Sequence, residues 1–234
     1  MLKCLPENEH EKSVCLAATI WTASKCAAAP GHTAQPFQPN RKQGKTFIRE
    51  AWKQNPIEVC RKALDIICPR HAKVVGEVRI ADAVEIAKEL GPGDLVFVDP
   101  PYSGVQYSRF YHVLETIARG TCGPVKGRGR YPSVNERPQS KFVNKGTSQE
   151  ALEELLRALA ESKATVIFTF PTGKCSNGLS GKIVVETAKT WFAVKEKRVN
   201  GKFSTLGGNN EDRDARKSSE ELLLLLKPKG QSLL

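Results

Sequence analysis

The first third of the chain has the apolar spacing and end signals of helices. Ser13 is placed to cap a helix that runs to about Ala29. A second helix is predicted over 46–54. Asn55 begins a third, which ends before Pro69, because proline cannot continue a helix. The pattern therefore predicts a helical segment over residues 1–72.

From residue 73 onwards, short apolar runs alternate with helical patterns. Strands are predicted at 74–81, 94–98, 164–170, 192–199 and 221–227. Helices are predicted at 83–90, 108–119, from the cap at 147 onwards, and up to 189. The alternation predicts an α/β domain over 73–234 with a doubly wound sheet that binds ligands at the carboxyl ends of its strands. We expect the last two strands to pair antiparallel.

A long basic segment, residues 120–146, separates two of these helices and holds six Lys or Arg against one Glu. A connection of this length is usually functional. We predict that Arg128, Arg130 and Lys141 contact nucleic-acid phosphates, which would position the nucleic acid without reading its sequence. A solvated surface without a partner is the alternative.

Composition and charge narrow the class of protein. Hydrophobic residues make up 40% of the 234, which excludes a disordered chain, and 36 Lys and Arg against 25 Asp and Glu give a net charge of +11. Such a charge favours a nucleic-acid partner. No apolar run reaches membrane-spanning length and no secretory signal is visible. Seven cysteines without a C-x-x-C pair predict no metal site, and reduced thiols predict a cytoplasmic location.

The most informative stretch is the apolar run from Asp94, which ends in Asp99, Pro100, Pro101 and Tyr102. Two successive prolines stiffen the backbone and remove two N–H donors, so this strand end offers carbonyl acceptors beside a carboxylate. Such a site accepts hydrogen bonds from an amino group, and the tyrosine offers a flat surface for stacking. This is what methylation of the exocyclic amine of a nucleobase requires, since positioning and electrostatics suffice once the methyl donor is activated.

The run from Asp99 to Glu115 (D-P-P-Y-S-G-V-Q-Y-S-R-F-Y-H-V-L-E) resembles the Dam-like adenine-specific (N6) DNA methyltransferases. The resemblance implies S-adenosylmethionine as cofactor and DNA as partner. It implies that Asp99 and the Pro100 carbonyl bind the adenine amine, that Pro101 completes the rigid motif, and that Tyr102 stacks on a base flipped out of the duplex. It also implies that Asp82 contacts the adenine of the cofactor, with Asp99 at the border of the same site.

The chain departs from this family in one place, because the glycine-rich F-x-G-x-G loop that holds the methionine end of the cofactor is not found before residue 73. We therefore expect an incomplete Rossmann-like methyltransferase sheet, with a separate amino-terminal fragment as a possible partner. A substitute is the Gly/Ser-rich segment 172–181. The preferred interpretation is that Ser176 and Asn177 cap the following helix, with Asn177 close to the target base.

Two further residues, Tyr107 and Tyr111, are predicted to contact DNA or simply to pack beside their helix.

Two other functions stay open at this point. An RNA methyltransferase acting on the N2 amine of guanine carries a similar motif, although the continuation from Tyr107 to Glu115 favours the DNA enzyme. A catalytically inactive nucleic-acid-binding remnant is the other alternative.

Overall fold

The computed structural model describes residues 4–29, 32–34, 36–39, 42–127, 129–204 and 216–230. The chain divides into two compact units. The first unit comprises Met1–Glu77 and Tyr107–Gln139, and the second comprises Val78–Gln106 and Ser140–Leu234. The boundary near residue 77 lies close to the predicted end of the helical segment. The segment 107–139, which follows the D-P-P-Y motif, lies in the first unit.

The first unit is mainly helical. Its helices are α1 (Glu9–Cys26), α2 (Lys42–Trp52), α3 (Pro56–Ile67), α5 (Tyr107–Phe110) and α6 (His112–Arg119). Helix α1 packs against α3 and α6. The predicted cap of α1 is wrong, because Asn8 accepts from the amides of His10 and Glu11. Ser13 lies one turn further on, where its hydroxyl donates to the carbonyl of Glu9.

The predicted start of α3 is confirmed. The Asn55 side chain accepts from the amides of Ile57 and Glu58, and Pro56 occupies the first turn, where a missing N–H costs nothing. The predicted helix 108–119 is instead divided at Tyr111 into α5 and α6. Gly120 ends α6 with a φ of 71°, the left-handed conformation that glycine adopts without strain.

The basic segment 120–146 is not the single loop that the sequence predicts. Strands β2 (Val125–Lys126) and β3 (Tyr131–Pro132) form a small antiparallel hairpin within it. Two 3-10 turns follow, at Val134–Glu136 and Lys141–Val143. We call the stretch from Val125 to Pro132 the basic hairpin.

The second unit is built on a four-stranded sheet with the order β1-β4-β6-β5. Its strands are β1 (Leu95–Val98), β4 (Thr165–Pro171), β5 (Phe192–Ser204) and β6 (Arg216–Pro228). β1 and β4 are parallel, whereas β6 is antiparallel to both of its neighbours. The predicted antiparallel pairing of the last two strands is confirmed, and both strands are longer than predicted. The architecture is thus mixed α/β with a mixed sheet.

The strand predicted over 74–81 is wrong. These residues lie outside every strand of the described chain, and the side chains of Val75 and Ile80 are each 98% exposed. β-branched residues favour a strand only where they can pack on a neighbouring strand or helix. No strand of the described residues pairs with this segment, so its local preference has no tertiary support.

The core of the second unit lies between one face of the sheet and three helices: α4 (Ala83–Glu89), α7 (Ser148–Glu161) and α8 (Gly181–Trp191). Along β4, Val166, Phe168 and Phe170 alternate into this core, as a strand buried on one face requires. On β1, the alternate residues Leu95 and Phe97 are about two-thirds exposed, at 67% and 65%. The described helices of this unit thus cover one face, and the doubly wound arrangement is not confirmed.

Candidate active site

The motif Asp99–Tyr102 follows β1 directly, at the carboxyl end of the strand. Because β1 is parallel to β4, the carboxyl ends of both strands lie at the same edge of the sheet. Thr169, near the end of β4, therefore reaches Asp99, and its Oγ1 lies 3.0 Å from Asp99 Oδ1. The same hydroxyl lies 3.4 Å from the Val98 carbonyl. Asp99 is exposed, and among the described residues no group donates to its Oδ2.

The two prolines have different surroundings. Pro100 is buried and Pro101 is half-buried. The Pro101 carbonyl accepts a hydrogen bond from Nδ2 of Asn177 at 3.2 Å. Within the described part of the chain, no donor reaches the Pro100 carbonyl. The acceptors left at this strand end are therefore the Pro100 carbonyl and one oxygen of Asp99, the pair that the resemblance assigns to an amino group.

Tyr102 presents an aromatic ring beside these acceptors. Its side chain is 39% exposed, and its ring contacts Phe170 edge to face, with centroids 6.4 Å apart and an interplanar angle of 84°. Phe170 is 2% exposed and anchored in the core. An edge-on contact orients the tyrosine ring and leaves a face free of Phe170. This geometry suits stacking of a flat, extruded base.

The segment 172–181 places Asn177 differently from the prediction. Asn177 is completely buried and its side-chain amide bonds within the protein, so this position does not present the side chain to DNA. The cap of α8 is also different, because Ser180, rather than Ser176 or Asn177, accepts from the Ile183 amide. The sequence could not separate these three polar residues, since each is a good capping residue.

The same segment is a poor substitute for a cofactor loop. Its amides at 175, 178 and 181 donate to carbonyls at 179, 175 and 172, and the Leu179 amide donates to Oδ1 of Asn177. A loop that cradles a charged ligand needs free N–H groups. These four amides are therefore used within the turns of the segment itself.

Asp82 lies just before α4 and caps it, since its Oδ1 accepts from the Val84 amide at 2.8 Å. The side chain is exposed. Its contact with a cofactor stays a prediction.

Lys141 is exposed and forms an ion pair with Glu154 at 3.2 Å. This hydrogen bond, and then the charge of Glu154, raise the pKa of Lys141. Its contact with phosphate also stays a prediction, now in competition with Glu154.

The remaining predicted contacts lie in the first unit. Tyr107 and Tyr111 stand together there, edge to face with centroids 6.3 Å apart, and each is about 40% exposed. Phe110 lies beside both and stacks on His32. This arrangement agrees with the packing alternative, and leaves the two tyrosines partly exposed for a ligand.

Arg130 is exposed at the turn of the basic hairpin, with a φ of 50°. Arg128 lies outside the described residues.

Several residues of interest were not predicted from the sequence. In the sequence, Thr169 carries no signal beyond its place near a strand end, and the pattern around Ser176 predicts a helix cap. In the first unit, Arg109 lies over the ring of Tyr131, at 4.7 Å from its centroid, and the Tyr131 hydroxyl donates to the Ala34 carbonyl. His112 meets the same ring edge-on. Its Nε2 is buried and has no hydrogen-bond partner among the described residues. Burial is the main cause that lowers the pKa of His112, followed by the charge of Arg137.

No three His, Cys, Asp or Glu side chains of the described chain come together as a metal site would require. No described helix has both the length and the apolar character needed to span a bilayer.

Comparisons with known proteins relate this site to a family. The family model for D12 class N6 adenine-specific DNA methyltransferases matches residues 30–167, more than half of the chain. The match includes Asp82 and the whole D-P-P-Y motif. No solved structure matches the chain significantly.

Two curated relatives are similar over shorter stretches. Modification methylase LlaI of Lactococcus lactis subsp. lactis is 40% identical over 68 residues, which are 29% of this chain and 10% of that protein. Type II methyltransferase M.NlaIII of Neisseria lactamica is 33% identical over 81 residues, 35% of this chain and 23% of that protein. The matched stretches thus span about a tenth and about a quarter of these relatives.

Proposed function

Because the chain belongs to the family of D12 class N6 adenine-specific DNA methyltransferases, we propose that it transfers a methyl group from S-adenosylmethionine to the N6 amine of adenine in DNA. The observation that carries this proposal is the pair of acceptors at the end of β1. Asp99 and the Pro100 carbonyl stand at a rigid strand end beside an oriented aromatic ring. The names of the two relatives, a modification methylase and a type II methyltransferase, support methylation of DNA at specific sites.

The acceptor pair suits the chemistry of an aromatic amine. The lone pair of the amine is delocalised into the base, so hydrogen bonds from its two N–H groups to fixed acceptors favour a geometry in which nitrogen can attack. The bound cofactor supplies an already activated methyl group, so a strong general base is not required. Methylation releases one proton, and Asp99, exposed to solvent beside the amine, is the acceptor that the described residues offer.

Tyr102 gives the target base a place outside the duplex. An exocyclic amine cannot be reached for in-line attack inside the stack, so the base must be extruded and held. The exposed ring of Tyr102, oriented by Phe170, provides a stacking surface for it. The net charge of +11 and the exposed Arg130 support phosphate contacts that hold the DNA.

The cofactor site of this proposal is a Rossmann-like one, with Asp82 and Asp99 at its border. The described residues fit one side of such a site, since Asp82 lies at the start of α4 and Asp99 follows β1. Four amides of the segment 172–181 are by contrast used within that segment. We infer that the glycine-rich loop comes from residues outside these 234, and a separate amino-terminal fragment is one source. The edge position of β1 and its exposed Leu95 and Phe97 support room for further strands.

A calorimetric titration with S-adenosylmethionine tests whether the cofactor site needs an added glycine-rich loop. A folded chain that binds nothing, and that gains micromolar affinity when a fragment carrying F-x-G-x-G is added, is the expected result. Saturable binding by the chain alone would contradict the need for an added loop.

The proposed activity is tested by transfer of a labelled methyl group to DNA and to RNA, with the fragment added if the titration requires it. We expect N6-methyladenine in DNA, abolished by Asp99→Ala, with DNA affinity of the variant within a few fold of wild type. Transfer to guanine N2 in RNA would identify the alternative enzyme. Tight DNA binding without transfer under cofactor saturation would identify an inactive remnant.

A further inference from the structure

The loop between β4 and α8 is fastened to the residues that follow β1 at two points. Asn177 Nδ2 donates to the Pro101 carbonyl at 3.2 Å, and Ser176 Oγ accepts from the Gly104 amide at 2.8 Å. The sequence separations are 76 and 72 residues. Both bonds lie within the second unit and flank Tyr102, one on each side of it along the chain.

Asn177 is held in a single orientation. Its side chain is completely buried, and Nδ2 also donates to the Phe142 carbonyl at 2.8 Å, while Oδ1 accepts from the Leu179 amide at 3.2 Å. The backbone of Asn177 is fixed as well, because its carbonyl accepts from the buried hydroxyl of Ser148 at 2.9 Å. A buried amide that uses both N–H groups and its oxygen is fully satisfied, so it acts as a rigid donor to Pro101.

The Ser176 contact depends on a glycine opposite it. A Cβ at Gly104 would lie 3.0 Å from the Ser176 carbonyl oxygen, a distance tighter than most real contacts. The absence of a side chain at 104 lets the two loops approach closely enough for the amide to reach the hydroxyl. The close approach and the hydrogen bond together point to a built junction between these loops.

We propose that Asn177 and Ser176 are positioning residues for the amine-binding site. By holding the Pro101 carbonyl and the Gly104 amide, they set the directions of the Pro100 carbonyl and the Tyr102 ring, and they occupy no part of the base or the cofactor themselves. This inference rests on the proposed methyl transfer, and it gives Asn177 a role inside the protein in place of the DNA contact expected from the sequence.

Positioning of this kind should affect chemistry more than binding. A displacement of reacting groups by about 1 Å can cost roughly a hundredfold in rate. Affinity for DNA comes largely from phosphate contacts, to which a neutral buried amide and a serine contribute no charge. The signature of the two residues is therefore a slow chemical step at nearly unchanged DNA affinity.

The first test compares Ser176→Ala with Ser176→Thr, which keeps the hydroxyl. The matched control is Ser162→Ala, since Ser162 Oγ also accepts a backbone amide, that of Ala164 at 3.3 Å, near the end of α7. Hydrogen exchange of the Gly104 amide and single-turnover methyl transfer are measured on each. We expect Ser176→Ala to raise Gly104 exchange about fivefold or more and to slow transfer about tenfold. Ser176→Thr and the control should stay close to wild type in both.

The second test is Asn177→Asp, which is nearly isosteric and keeps the acceptor for Leu179. A carboxyl facing the carbonyls of Pro101 and Phe142 can donate only while it is protonated. Relative to wild type, transfer by this variant should therefore recover at low pH and fall as the pH rises. Asn144→Asp is the control, because the Asn144 side chain is exposed and, within the described part of the chain, bonds only through its oxygen, which accepts from the Gly146 amide. Its pH profile should follow wild type.

The outcomes separate this inference from the proposed function. If wild type transfers no methyl group to DNA, the proposed function fails, and the exchange measurement still decides whether Ser176 fastens Gly104. Unchanged exchange at Gly104 in Ser176→Ala would overturn the junction. Faster exchange with an unchanged transfer rate, or a loss of DNA affinity equal to the loss of rate, would overturn the positioning role.

Discussion

Thr169 donates to Asp99 across the β1–β4 pair, with 3.0 Å between Oγ1 and Oδ1, although the two residues are 70 positions apart in the chain. The bond exists because two parallel strands deliver their carboxyl ends to the same edge of the sheet. It engages one oxygen of the carboxylate, and among the described residues no group donates to the other.

Removal of this hydroxyl should slow catalysis. Thr169→Val keeps the shape of the side chain and loses the donor, and a hydrogen bond to a charged group contributes about 1.5–3 kcal/mol. We expect methyl transfer to fall about tenfold or more, measured under single turnover. Thr187→Val is the control, because the Thr187 hydroxyl bonds within α8 to the Ile183 carbonyl. Equal rates for both variants would exclude a role for Thr169 in orienting Asp99.

The ring of Tyr102 should matter more than its hydroxyl. Base–aromatic stacking contributes about 1–3 kcal/mol, so Tyr102→Ala should weaken binding of an extruded base about tenfold or more, whereas Tyr102→Phe should retain it. Fluorescence of 2-aminopurine at the target position reports extrusion directly. The stacking role would be refuted if the alanine and phenylalanine variants gave the same fluorescence and the same rate.

Arg130 should contribute to the salt dependence of DNA binding. One lost phosphate contact lowers the slope of log K against log salt by about 0.9, and Arg130→Ala should show this with little dependence on DNA sequence. Lys189→Ala provides the comparison, since Lys189 is paired with Glu186 on α8. A slope in Arg130→Ala identical to that of wild type would show that the basic hairpin does not contact phosphate through this residue.

Gly181 is required by packing at the start of α8. A Cβ there would lie 2.7 Å from Leu222 Cδ1 and 2.8 Å from the Cα of Thr172. The second of these is a backbone atom, which cannot move aside easily. Gly181→Ala should lower the free energy of unfolding by about 1–3 kcal/mol, measured by urea denaturation. Gly173→Ala, where a Cβ meets nothing within 4 Å, should have little effect. Equal stabilities of the two variants would contradict the close packing.

The free energy of unfolding should decrease at acid pH because of His112. Burial lowers the pKa of this side chain below its ordinary value. The unfolded chain therefore binds the proton first, and the free energy of unfolding decreases as pH falls through about 6.5 towards the lower folded pKa. His112→Phe should make this decrease shallower, in urea titrations between pH 7 and pH 5. His10→Phe, at an exposed position, is the comparison variant, and an equal slope for the two variants would contradict the role of His112.

Features that depend on short stretches of chain were predictable. The family was predicted from the D-P-P-Y motif and its continuation, and the family match confirms it. The Asn55 cap and the antiparallel pairing of the last two strands are also confirmed. Each follows from local backbone preferences or from adjacent segments.

The wrong sequence predictions concern helix caps for which several neighbouring residues were equally suitable, and one strand. Ser13 and Asn8 both suit a helix cap, and Asn8 prevails because α1 continues one turn further towards the amino terminus. Ser176, Asn177 and Ser180 are likewise all capping residues, and Ser180 is the one that caps α8. The apolar run 74–81 has the composition of a strand but meets no partner strand in the described chain.

The sequence by itself determined the chemical identity of the site, because an acid, two prolines and a tyrosine at a strand end define acceptors and a stacking ring without reference to the rest of the chain. Only the tertiary structure decided which groups orient them. Thr169 and Asn177 meet the motif from 70 and 76 residues away, and Ser176 meets Gly104, just beyond the motif, from 72 residues away. Such contacts depend on strand order and loop packing, which local preferences do not specify.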